Sequence, residues 1–144
     1  MLGLAARTMA ACGSRDTTQE DFQTRVVMLP SGREIRAEIK TTPEAMRFGM
    51  MFRDSLPKDT GMLFVHGKPG AYTYWMHNVR IPLDIVFMDS KRAILGIAAN
   101  AAPCNLEPSQ CPQYGSNANT RYVLELAGGE AKRLGLKPGD VLRF

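Results

Sequence analysis

The chain has 144 residues, 44% of them hydrophobic and 22% charged, with a formal net charge of +4. That length suits one domain able to bury a core without staples, and the composition excludes a collagen repeat, a coiled coil and an acidic disordered tail. No run of ~18 apolar residues exists to build a membrane-spanning helix. The basic excess is spread out, so nucleic acid is not an expected partner.

In chain order, residues 1–21 read as the remnant of an export leader or as a disordered tether, and 22–144 as a single β domain. Met9-Ala10-Ala11 before Cys12, with Gly13-Ser14 after it, resembles the end of a bacterial lipoprotein leader. In that reading Cys12 carries the lipid anchor; otherwise it is an incidental cysteine. Thr24 to Leu29 reads as a strand and Pro30-Ser31-Gly32 as a turn. Ile35, Ala37 and Ile39 alternate with Arg36 and Glu38, which completes a hairpin. Thr42-Pro43-Glu44 carries the start signals of a short helix ending near Gly49, with Met46 and Met50 inward.

A loop with Pro57 and Gly61 precedes a strand over Met62 to His66. Gly67-Lys68-Pro69-Gly70 reads as a turn, and Ala71 to His77 as an aromatic-rich strand. Ile81 to Met88 is apolar at nearly every position and predicts a strand covered on both faces. Ala93 to Ala99 and Tyr122 to Leu126 are further strands. Gly129 to Leu134 is a short helix, and Val141 to Phe144 the last strand. Seven or eight short strands with two short helices predict a mainly β fold, a single-domain β-sandwich or distorted barrel.

Cys104 and Cys111 lie between Pro103 and Pro112, with Pro108 between them. Prolines mark this segment as a loop, and six intervening residues suit a small disulfide ring. Zinc would need closer pairs and further ligands. A stable disulfide implies an oxidising compartment, periplasmic or at the envelope. The other reading is two reduced loop cysteines.

Three functional readings follow. Asp84 shares a strand face with Val86 and Met88, so it needs a partner; Arg53, Asn78 and Arg80 are candidates. A hydrolase or lyase-type enzyme would use Asp84 with His77 or Arg53 in an open pocket. Trp75 and His77 flank Met76 and could floor a binding pocket, or belong to the core. Met50, Met51, Met62 and Met76 with His66 and His77 could supply soft ligands for Cu(I), or fill the core. No nucleophile elbow, phosphate loop or cofactor set is legible, and no resident metal or cofactor is expected.

Several stretches occur in a familiar order: Thr42-Pro43-Glu44, Gly49-Met50-Met51-Phe52-Arg53, Gly61-Met62-Leu63-Phe64-Val65 and Trp75-Met76-His77-Asn78. Ile81-Pro82-Leu83-Asp84-Ile85, Pro103-Cys104, Cys111-Pro112, Arg121-Tyr122-Val123-Leu124-Glu125 and Gly135-Leu136-Lys137-Pro138-Gly139-Asp140 follow. The set, spanning about 24–144, resembles a bacterial and archaeal family known only as domain of unknown function 192. His77 stands where that family usually has Lys, and Val79 where it usually has Thr. The resemblance implies a compact, mainly β domain, often exported, with Arg53, Asn78, Asp84 and Glu125 as its recurring polar residues. The favoured expectation is a non-catalytic envelope module that binds an unknown ligand or protein partner, with Arg53, Trp75, His77, Asn78, Asp84 and Glu125 as its polar cluster.

Overall fold

The computed structural model describes residues 23–115 and 117–144. The leader-like segment and Cys12 lie outside the described residues. Among those residues the elements run β1 (Thr24–Met28), β2 (Glu34–Lys40), α1 (Pro43–Phe48), β3 (Thr60–Gly70), β4 (Thr73–Trp75) and β5 (Leu83–Met88). They continue with β6 (Ile94–Ala101), β7 (Gln113–Gly115), β8 (Thr120–Ala127) and α2 (Glu130–Arg133). Six strands form one sheet in the order β1-β2-β3-β8-β5-β6, while β4 and β7 pair as a small second sheet. β2 and β3 are parallel, and the other named pairs are antiparallel. A parallel pair needs a crossover, which the stretch holding α1 supplies. β1 and β6 end the large sheet without meeting, so the mainly β domain is an open, sandwich-like structure and not a closed barrel.

Strand alternation sends side chains to two core layers. Val27, Ile35, Leu63, Val86, Leu124 and Leu126 pack with Leu134 and Leu142 on one face. Met62, Phe64, Leu83, Ile85, Phe87 and Val123 pack with Met50, Met76, Cys104 and Cys111 on the other. α2 and the chain end cover the first face. The α1 segment, the β4–β7 sheet and the cysteine loop cover the second. β5 is buried along its whole length for that reason.

The cysteine loop is closed by the Cys104–Cys111 disulfide, with the Cα atoms 5.8 Å apart. Its first cysteine is anchored under the site described below, because the Cys104 N–H donates to the Met76 carbonyl at 3.1 Å.

Two local expectations change. The strand after Gly61 continues through the segment read as a turn, with a register shift between Val65 and Gly70. Pro69 has no N–H for the ladder, which accounts for an irregularity there without a chain reversal. Val141 to Phe144 is held by single bridges, Ala93 to Val141 and Met28 to Arg143, and so spans two strands instead of extending one.

Candidate binding site

The parallel register sets up the site. Glu38 on β2 pairs with Met62 on β3, Met62 with Glu125 on β8, and Glu125 with Ile85 on β5. Directly paired residues share a face, so Glu38 and Glu125 both lie on the methionine-rich side.

Thr42 starts α1 by accepting a hydrogen bond from the Ala45 N–H at 3.2 Å, with Pro43 in the first turn. Gly49 ends it at φ 45°, a left-handed value that favours glycine. The chain then turns back to place Arg53 over β2. Arg53 grips Glu38 with two parallel bonds of 2.5 and 2.8 Å. This fork geometry is the strong form of an ion pair. The Arg53 bond, with the charges of Arg53 and Lys40, holds the Glu38 carboxyl below its usual range. The Lys40 ammonium lies 3.5 Å from the same carboxylate.

Around this pair lies an open cleft of about 810 Å³, lined by Glu38, Lys40, Thr42, Glu44, Phe48 and Arg53 among others. The four charged side chains among its described lining residues are two acids and two bases. Phe48 in its lining is 61% exposed, and the ring of Phe52, 50% exposed, lies beside it with centroids 6.4 Å apart. Phe52 adopts φ 64°, an uncommon conformation for an aromatic residue. Its N–H donates to the carbonyl of Asn78, itself at φ 58°. Asn78 therefore serves the site through its backbone, by fixing the turn that carries Phe52 and Arg53.

A second cavity of about 30 Å³ adjoins the cleft, because Phe48, Gly49 and Met51 line both. Its walls also include Met46, Met50, Tyr74, Trp75, His77 and Glu125. Glu125 is only 5% exposed, and its Oε2 has no hydrogen-bond partner. Burial pushes its carboxyl up to about 8, against the opposing pull of Arg53. Burial also raises the Tyr74 phenol, and the charge of Glu125 adds to the rise. The Tyr74 hydroxyl is hydrogen-bonded to His66 Nε2 at 2.9 Å. His77 Nδ1 is buried without a partner, and the Trp75 and His77 rings lie 5.5 Å apart.

Arg53, Trp75, His77, Asn78 and Glu125 thus gather on one face. Asp84 does not join them. It is 1% exposed and lies on the opposite face with Val86 and Met88. Its Oδ1 accepts from the Asn100 N–H and its Oδ2 from the Ala131 N–H, each at 2.8 Å. The first bond satisfies an amide where β6 shifts register, and the second caps the start of α2, whose preceding Gly129 has no side chain to do so. Its partners are backbone amides and not Arg53, Asn78 or Arg80. The enzyme reading centred on Asp84 needed an open pocket shared with His77 or Arg53, and the sheet stands between them.

Sequence reasoning missed Glu38, Lys40 and Phe48. Glu38 and Lys40 read as solvent-facing members of an alternating strand. Their only signal is that two opposite charges recur at spacing two on one strand face. In the copper reading, Met50, Met51 and His77 do line one cavity. Met62 and Met76 sit in the core beside it, and His66 is engaged by Tyr74.

A family model for domain of unknown function 192, described as an uncharacterized ACR, matches residues 26–144. None of the curated proteins matches the chain. A solved protein of unknown function from Novosphingobium aromaticivorans DSM 12444 is 34% identical, with a TM-score of 0.77 over 97% of this chain and 99% of that one. Another, from Sinorhizobium meliloti 1021 and named as a candidate transcription regulator, is 36% identical, with a TM-score of 0.72 over 82% of this chain and 89% of that one. With residues 26–144 matched by its family model, the chain belongs to the family of domain of unknown function 192.

Proposed function

We propose that this chain is a non-catalytic binding module of the cell envelope that holds an uncharged, hydroxyl-rich small molecule in the cleft between α1 and β2. The observation that carries this reading is the charge balance of the cleft. Among the described residues of the lining, Glu38, Lys40, Glu44 and Arg53 cancel in formal charge while offering fixed donors and acceptors. A charged ligand would meet as much repulsion as attraction there. A neutral polyol or saccharide meets hydrogen-bonding groups already held in place, which lowers the ordering cost of binding. Exposed Phe48 and Phe52 add an apolar surface against which a sugar ring can pack. The Cys104–Cys111 disulfide supports an oxidising compartment, and the residues before Cys12 support export with a lipid anchor. Nucleic acid does not fit this reading, since two acids face two bases among the described lining residues of the cleft.

Ligand-observed NMR with maltotriose and chitotriose as neutral probes, citrate as an acid and spermidine as a base tests it. The neutral probes are expected to bind, and the double variant Glu38→Gln, Arg53→Met to release them. Binding of the charged probes alone, or neutral binding unchanged in that variant, overturns the reading.

A further inference from the structure

Methionine is unevenly distributed between the two faces of the sheet. Of the seven methionines among the described residues, Met46, Met50, Met51, Met62 and Met76 belong to or pack against the second core layer. Three of these, Met46, Met50 and Met51, line the cavity of about 30 Å³ together with His77. His77 Nδ1 is buried and has no hydrogen-bond partner. An unpartnered buried imidazole nitrogen is costly, and such groups call for an explanation. The volume is about that of a single water in the liquid, so it admits one small ion and no organic group of size.

The donor set narrows the ion. Among the described residues no three His, Cys, Asp or Glu side chains come together as metal ligands. Zinc, iron and calcium therefore lack the oxygen, imidazole and thiolate donors they require. What the cavity offers is thioether sulfur with one imidazole, and these soft donors select Cu(I). The Arg47 guanidinium lines the cavity while burial favours the neutral form of Glu125, so a monovalent ion meets less repulsion there than a divalent one.

We propose that this cavity is a binding site for one soft monovalent metal ion, Cu(I) or its redox-inert analogue Ag(I), held by the thioethers of Met46, Met50 and Met51 and by His77 Nδ1. Met46 and Met51 are half-buried, and Met51 also lines the cleft, which gives the ion a way in. The site adjoins the saccharide cleft, with Met51 in both linings, but it rests on different donor atoms, so either can be present without the other.

The test uses the full chain carrying Cys12→Ser, so that no free thiol competes, with methionine methyl groups labelled with carbon-13. Ag(I) is titrated in chloride-free buffer, and Cu(I) anaerobically against bicinchoninate. One equivalent should bind, moving the methyl signals of Met46, Met50 and Met51 and leaving those of Met28 and Met88 in place. The triple variant Met46→Leu, Met50→Leu, Met51→Leu, nearly isosteric and checked by circular dichroism, should lose more than the ~100-fold in affinity that loss of supporting groups alone produces. Unsaturable binding, shifts spread over all methionines, or full affinity in the folded triple variant overturns the site. The labelled wild-type chain reads the site directly should the variant not fold.

Discussion

Two carboxylates on paired strands of the central sheet have opposite fates. Asp84 on β5 keeps its charge satisfied by two backbone amides, one in β6 and one at the start of α2. Its role is to hold three elements together. Asp84→Asn preserves the shape but removes charge-assisted bonds, and should lower unfolding free energy by about 2–3 kcal/mol in urea melts. Glu125 on β8 faces the other layer with one oxygen unpartnered. Burial raises its carboxyl from 4.5 to about 8, so the folded state holds a proton that the unfolded chain has already released. Its favourable contribution is complete below about 4.5 and is lost as pH climbs through about 8. Unfolding free energy should therefore fall across that window in the wild type, and Glu125→Gln should flatten the slope. An equal slope in both chains would show that Glu125 is solvated. Glu38, whose carboxyl is held low by Arg53, acts in the opposite direction and only at acid pH, and His66, held below 6.5 by burial, opposes the fall below that pH, so the Glu125 slope is read above it.

At the scale of elements, β5 and the β1–β2 hairpin were legible from apolar content and alternation. So was α1, from its Thr42-Pro43 start and Gly49 stop. Pairings distant along the chain were not legible. Glu38 read as a solvated strand residue because alternation shows which residues share a face, not what covers it. Its partner Arg53 arrives only after the crossover places β3 parallel to β2. The disulfide loop has a measurable share in holding the site, since Cys104 bonds to Met76 between Trp75 and His77. A ring this small contributes about 2–3 kcal/mol in the chain-entropy model. Reduction, or Cys104→Ser with Cys111→Ser, should lower stability by that amount and shift the fluorescence of Trp75, the chain's single tryptophan. Close approach of β3 to β8 depends on Gly61. A Cβ there would stand 2.7 Å from the Glu125 carbonyl oxygen and 2.9 Å from a Leu126 methyl carbon. Gly61→Ala should destabilise the domain by about 1–3 kcal/mol, read as a lower midpoint in thermal melts.

For the molecule as a whole, the open sheet is sealed differently on its two sides. One side is closed by α2 and the chain end over an aliphatic layer that includes Asp84. The other is covered by α1, the small sheet and the cysteine loop, and there the cover leaves a cleft and a cavity. Five of the six polar-cluster residues expected from sequence lie on that second side. Asp84 was grouped with them because charge on an apolar strand reads alike whether it faces a pocket or a helix start. Binding at the cleft rests on a charge-balanced set of described side chains beside the ring of Phe48. Backbone amide mapping by NMR with a mixed library of neutral, acidic and basic fragments tests this most directly. Neutral hydroxylated fragments should dominate the hits and shift amides of Thr42, Phe48 and Arg53. Hits dominated by charged fragments, or shifts confined to β6 and β7 and absent from α1 and β2, would contradict it.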